Sequence, residues 1–250
     1  MIAVDNVISN PVGREVELPR SADWRGAPLV AVLIIGMAIA AIAPFDAAFA
    51  AVTFGLVIPR VALIAAMTLI GASCADRVGL PLKGHRTRWP MWTGVAAAIG
   101  VAIYVAALDG VIFRSTLAPS YVQVFETMRL RDRLLYFMLR AFNENLIYRL
   151  CVFSGLYYLI SRIAGVSPQR VHPVLIWCAI VAAQVLNIAI NVAALSPDPL
   201  SFGTLLYDFL RYVVPGVMWA WLYWRFGFVT AEVASVGCHV VLQPALGILL

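Results

Sequence analysis

The chain has 250 residues, of which 62% are hydrophobic and 12% charged, with a net charge of +5 and a mean hydropathy of +0.90. A soluble globular domain carries about 25% charged residues, so the composition excludes a soluble enzyme and indicates a polytopic integral membrane protein. The excess positive charge reports topology first, and no basic run with interleaved aromatics lies outside the apolar segments, so no nucleic-acid partner is expected.

Residues 1–26 mix acids with bases and lack an apolar core. They do not form a signal peptide and read as a flexible cytoplasmic tail. Residues 27–250 read as one transmembrane helical domain. At about 20 residues per span, its length suits about seven spans, in a range of six to eight.

The first span is expected from Pro28 to Pro44, followed by a turn at Phe45-Asp46. A second apolar stretch, Ala47 to Cys74, is long for one helix and is interrupted by Pro59-Arg60. It suits a kinked or tilted span. Arg60 either snorkels as a structural residue or faces the bundle. A basic loop with Arg77, Lys83, Arg86 and Arg88 precedes the third span, Met91 to Leu108. The connector 109–133 mixes charged and apolar positions, which suits a helix at the membrane surface. The fourth span runs from Leu134 to Ile160, the fifth from Pro173 to Leu195, the sixth from Phe202 to Trp224 and the seventh from Phe228 to Leu249.

Basic residues concentrate in the tail and in the loops after spans two, four and six. That bias places the N-terminus on the cytoplasmic side. The connector, with Arg114, Arg129, Arg131 and Arg133, is the exception.

Three spans carry polar groups near mid-depth. The fourth holds Asn143-Glu144-Asn145-Leu146-Ile147-Tyr148-Arg149, the fifth Gln184, Asn187 and Asn191, and the seventh His239 and Gln243. Ionisable groups within a span are costly and mark a functional site by default. At ~1.5 Å rise per residue, Glu144 lies roughly 15–17 Å into its span, Asn187 about 21 Å and His239 about 17 Å. One shared depth predicts one shared cavity. Arg140 with Glu144 and Asn145 with Arg149 are spaced i, i+4 and can touch. Asp208 and Arg211 are spaced i, i+3 and suit a structural ion pair. The cysteines (Cys74, Cys151, Cys178, Cys238) lie in apolar runs and read as packing residues. No Cys/His cluster has ligand spacing, so no metal or other cofactor is expected.

A buried carboxylate can act as a general base on water, and an imidazole with an amide one turn away can donate to a developing oxyanion. The same groups can instead satisfy one another and fix helix packing.

The set resembles the CPBP family of CAAX-prenyl proteases and bacteriocin-processing or self-immunity membrane proteins, over roughly residues 130–250. That family carries Glu-Glu-x-x-x-Arg, Phe-x-x-x-His and His-x-x-x-Asn or Asp on three helices. Here the first looks like Glu144-Asn145-Leu-Ile-Tyr-Arg149, the second falls at Ala183-Gln-Val-Leu-Asn187, and the third looks like His239-Val-Val-Leu-Gln243. The resemblance implies Glu144 as the base and His239 as an oxyanion donor, with Arg149 keeping the motif's arginine. It also marks the departures. Asn145 replaces the second Glu, Asn187 the His, Ala183 the Phe and Gln243 the Asn or Asp. Asn187 has no useful pKa near neutral. Gln243 donates from one methylene further out, and a shift on the order of 1 Å can cost about a hundredfold in rate.

These departures favour a non-catalytic member of the family, in the bacterial cytoplasmic membrane. It would be a binding or assembly subunit contacting membrane lipid and a membrane-protein partner or hydrophobic peptide. The alternative is an active, metal-independent intramembrane endopeptidase that cleaves a prenylated protein, a leader peptide or a small membrane substrate. A transporter is the third reading, although no internal repeat supports it.

Overall fold

In the computed structural model the described residues are 16–17, 24–43, 52–83, 89–167, 170–195 and 201–250. Almost all are helical. In chain order the helices are α1 (Ala27–Ile42), α2 (Val57–Val78), α3 (Trp89–Ala107), α4 (Pro119–Thr127), α5 (Leu130–Glu144), α6 (Ser154–Ile163), α7 (Pro173–Leu195), α8 (Phe202–Asp208), α9 (Val214–Phe226) and α10 (Phe228–Leu249). Val16–Glu17 pairs antiparallel with Arg170–Val171.

Among the described residues five helical runs are long and apolar enough to cross a membrane: Val57–Val78, Met91–Ile112, Leu130–Ile163, Pro173–Ile190 and Phe228–Leu249. The chain is a helical membrane protein. Ala27–Ile42 is apolar but shorter. The run from Phe202 to Phe226 is helical throughout and carries Asp208, Arg211 and Arg225.

Three runs widen into π-helix. The segment Leu108–Ile112 extends α3, Asn145–Phe153 joins α5 to α6, and Phe209–Val213 joins α8 to α9. A π turn opens the ladder from i→i+4 to i→i+5, and such turns gather at functional positions. Here the three segments carry Asp109, Arg149 and Arg211.

Close approach between helices is bought with glycine. A Cβ on Gly71 of α2 would lie 2.7 Å from the backbone of Leu150. The polar middle of the long α5–α6 helix is therefore pressed against α2, where Ile147, Leu150 and Phe153 are buried.

The second span differs from the expected Ala47–Cys74. Residues 44–51 lie outside the described ones. A turn with positive φ at Phe54 and Gly55 precedes α2, which starts only at Val57. Pro59 thus sits in the first turn, where its missing N–H costs nothing. Arg60 donates to the Ala41 carbonyl at 3.1 Å, which ties α2 to the end of α1. The connector 109–133 resolves into the π segment, a 3₁₀ turn at Arg114–Thr116 and the short helix α4, none of whose residues is buried. Arg133 is buried, donates to the Phe125 carbonyl at 2.9 Å and covers the Phe125 ring.

The tail expected over 1–26 lies largely outside the described residues, but its end is fixed. Trp24 is 2% exposed and donates from Nε1 to the Leu80 carbonyl at 2.6 Å. Its ring packs on Tyr223 and Phe228. The α10 backbone is anchored beside it, through Phe228 and Val229 N–H bonds to the Pro81 and Leu82 carbonyls at 3.0 and 2.9 Å.

Candidate functional site

The long helix α5–α6 turns Glu144, Asn145 and Arg149 inward, α7 supplies Asn187, and α10 supplies Ser235, Cys238 and His239. All of these line one partly open cavity of about 120 Å³, whose walls also include Val101, Arg211, Tyr212, Gly216 and Trp219. The shared depth read from the sequence therefore corresponds to a shared space. Gln243 does not line it, but its amide nitrogen lies 3.4 Å from His239 Nδ1. The side chain of Asn191 lies outside the described residues.

Each polar group is held differently. Glu144 accepts from Arg140 Nε at 2.7 Å, the i, i+4 pair the spacing predicts. The His239 ring stacks on Phe137 with centroids 5.7 Å apart. Asn145 and Arg149, expected to touch, make no hydrogen bond with each other; both oxygen and nitrogen of the Asn145 amide and the Nε of Arg149 lack partners. The π segment explains this, because its wider turn displaces the i, i+4 register on which the expectation rested. Room for the Arg149 guanidinium comes from Gly216. A Cβ there would run into the Gln184 amide and lie 3.0 Å from Arg149 Nη2.

Arg211 corrects an expectation. Its partner is not Asp208 but Asp109, 102 residues away, with Nε 2.9 Å from the carboxylate. Asp109 has no exposed surface and also accepts from Tyr121 Oη at 2.8 Å and Tyr207 Oη at 3.1 Å. Arg211 Nη2 reaches Tyr121 Oη at 3.3 Å. On α4, outside the spans, burial pushes the Tyr121 phenol above its usual range, with Arg211 opposing and Asp109 reinforcing. It stays protonated, a donor to Asp109.

Glu232 is the residue that sequence reasoning missed. It lies on α10, is 8% exposed, and neither carboxylate oxygen closes a hydrogen bond of good geometry. The groups that act on it are the Asn145 amide and the Arg149 charge. A signal for it existed. Glu232, Ser235, His239 and Gln243 recur at i, i+3, i+7 and i+11, a polar stripe down one helical face.

No protein-family model, curated protein or solved structure matches the chain. The site therefore has to be read from its own chemistry. Among the described residues no three His, Cys, Asp or Glu side chains group as metal ligands. The cavity has room for several waters and is smaller than pockets for small molecules, which span about 300–1,000 Å³. It offers one ion-paired carboxylate, one imidazole, two amides and two guanidinium groups.

Proposed function

We propose that the chain is a seven-span, CPBP-like membrane protein whose polar centre serves binding or assembly rather than hydrolysis, with its N-terminus in the bacterial cytoplasm. The observation that carries this reading is the engagement of Glu144 by Arg140 at 2.7 Å, with Asn187 lining the cavity where a second proton-carrying group would be needed. The bond from Arg140 occupies a carboxylate oxygen that a general base needs free, and an amide cannot take over the transfer of a proton. The small cavity agrees with a packed polar core that orients helices for a membrane partner or a hydrophobic peptide.

The second reading, an intramembrane endopeptidase, draws on one specific observation: Glu144 and His239 line the same cavity. One experiment separates the two. Membrane proteomes of cells carrying the wild type, Glu144→Gln or His239→Ala are compared for cleaved membrane proteins, and each form is purified in mild detergent with its bound chains. The binding reading expects identical cleavage patterns and an equally stoichiometric partner in all three. A product present with wild type and lost in both variants overturns it in favour of the protease.

A further inference from the structure

Buried polar atoms are almost always hydrogen-bonded, by protein or by ordered water, and each exception needs an explanation. Among the described residues seven of the fifteen exceptions fall in one group of four side chains. Both polar atoms of Asn145, both of Gln184, both carboxylate oxygens of Glu232 and the Nε of Arg149 close no hydrogen bond of good geometry within the protein, and the four residues are at most 8% exposed. They are also neighbours. Glu232 interacts with Asn145 and Arg149, and the Gln184 amide and Arg149 both crowd the notch at Gly216. Arg211 on the cavity wall and Arg140 behind Glu144 each have a carboxylate partner. Arg140 and Arg211 bond theirs directly at 2.7 and 2.9 Å. Arg149 and Glu232 make no direct bond, and each leaves hydrogen-bonding atoms without a partner. A small guest that both donates and accepts fits between them.

The set continues the cavity, since Asn145, Arg149 and Gly216 line it and Ser235, one turn beyond Glu232, does too. In the other direction, one turn before Glu232 on α10, stands Phe228, against which Trp24 packs with ring centroids 5.8 Å apart. Trp24, Tyr223 and Phe228 are each at most 2% exposed. Polar seam and aromatic seal meet at this end of α10.

We infer that Asn145, Arg149, Gln184 and Glu232 form an internal hydration site, a water-holding seam beneath the cavity that Trp24 stoppers at the start of α10. Bound water bridges the Arg149–Glu232 pair, supplying the hydrogen bonds that each buried group requires. Displacing Trp24 joins this water to the bulk on the side of the membrane where residues 80–82 lie. The inference holds whether or not the cavity is catalytic.

The test is thiol accessibility in membrane vesicles of both orientations. The full chain carries Cys74, Cys151, Cys178 and Cys238 replaced by alanine. A small charged methanethiosulfonate reagent, which needs a hydrated thiolate, probes Ser235→Cys and Glu232→Cys against Val233→Cys on the exposed face of α10. Ser235→Cys is the conservative probe, and it keeps the test decisive if Glu232→Cys fails to fold. The expected result is slow labelling at 235, a severalfold faster rate when Trp24→Ala is added, confined to reagent on the α10 N-terminal side, and no labelling at 233. Labelling at 235 no faster than at 233 would overturn the hydrated seam. A rate unmoved by Trp24→Ala, or raised only from the opposite side, would overturn the stopper.

Discussion

Arg211 and Arg149 line the same cavity and are held in opposite ways. Arg211 meets Asp109 directly, and Tyr121 and Tyr207 complete the carboxylate's bonds. Arg149 and Glu232 make no direct bond with each other, and the Asn145 and Gln184 amides close none of good geometry. A saturated network fixes geometry, because each member over-determines the others. An open one leaves bonding capacity inside the fold. The contrast assigns the Asp109–Arg211 cluster to scaffolding and the Arg149–Glu232 cluster to whatever the cavity holds.

The largest effect is expected from breaking the closed network. Asp109→Ala leaves a buried guanidinium without its counter-charge, and removing one partner of a buried pair costs about 3–5 kcal/mol. Thermal unfolding in detergent should show a large loss of stability, or no folded protein at all. A near-wild-type melting point would mean the cluster is not structural.

The next prediction sharpens the contrast. Arg149→Met alone should destabilise, and Arg149→Met with Glu232→Leu should recover most of the loss, because an apolar pair can replace a buried ion pair. Asp109→Leu with Arg211→Met should not recover, since the Tyr121 and Tyr207 hydroxyls lose their acceptor at about 1–3 kcal/mol each. The two double-mutant cycles are compared by melting. Additive costs at Arg149 and Glu232 would dissolve the pairing.

Gly216→Ala comes third. The new methyl drives into Gln184 and Arg149, and overpacking of this kind costs about 1–3 kcal/mol. Adding Gln184→Ala should return part of that, again read by melting. Arg140→Ala is the smallest. The pair with Glu144 is about one-third exposed on each side, so its loss should cost under about 1 kcal/mol, while freeing the carboxylate. Substrate cleavage gained by that variant would revive the protease reading.

Much of this was legible in the chain. The last span, Phe228–Leu249, follows from its apolar length and the Gly227 break. The meeting of Glu144, Asn187 and His239 follows from counting rise per residue. What was hidden was non-local or masked by its setting. Asp109 reads as the first residue of a connector, and nothing in the sequence ties it to Arg211, 102 positions on. The adjacent Asp208 offers a shorter and wrong pairing. Glu232 lies five residues into a span beside polar Thr230, where an acid reads as an interfacial residue. Only its phase with Ser235 and His239 points inward. The π segments leave no compositional mark, so the Asn145–Arg149 contact was drawn on the wrong helix geometry.

Those three wide turns carry a further consequence for how this chain tolerates change. A π turn holds one residue more than the α-helical ladder needs. Removing one residue between Asn145 and Phe153 would let the ladder close with the flanking turns kept nearly in register, whereas the same deletion in an α-helical stretch rotates everything after it by about 100°. Ser154, now bonded to Tyr223 at 3.1 Å, would keep facing the core. What the closed ladder loses is the wide turn that carries Asn145 and Arg149. A deletion of one is therefore milder for the fold here than elsewhere in the helix, and harder on the cavity.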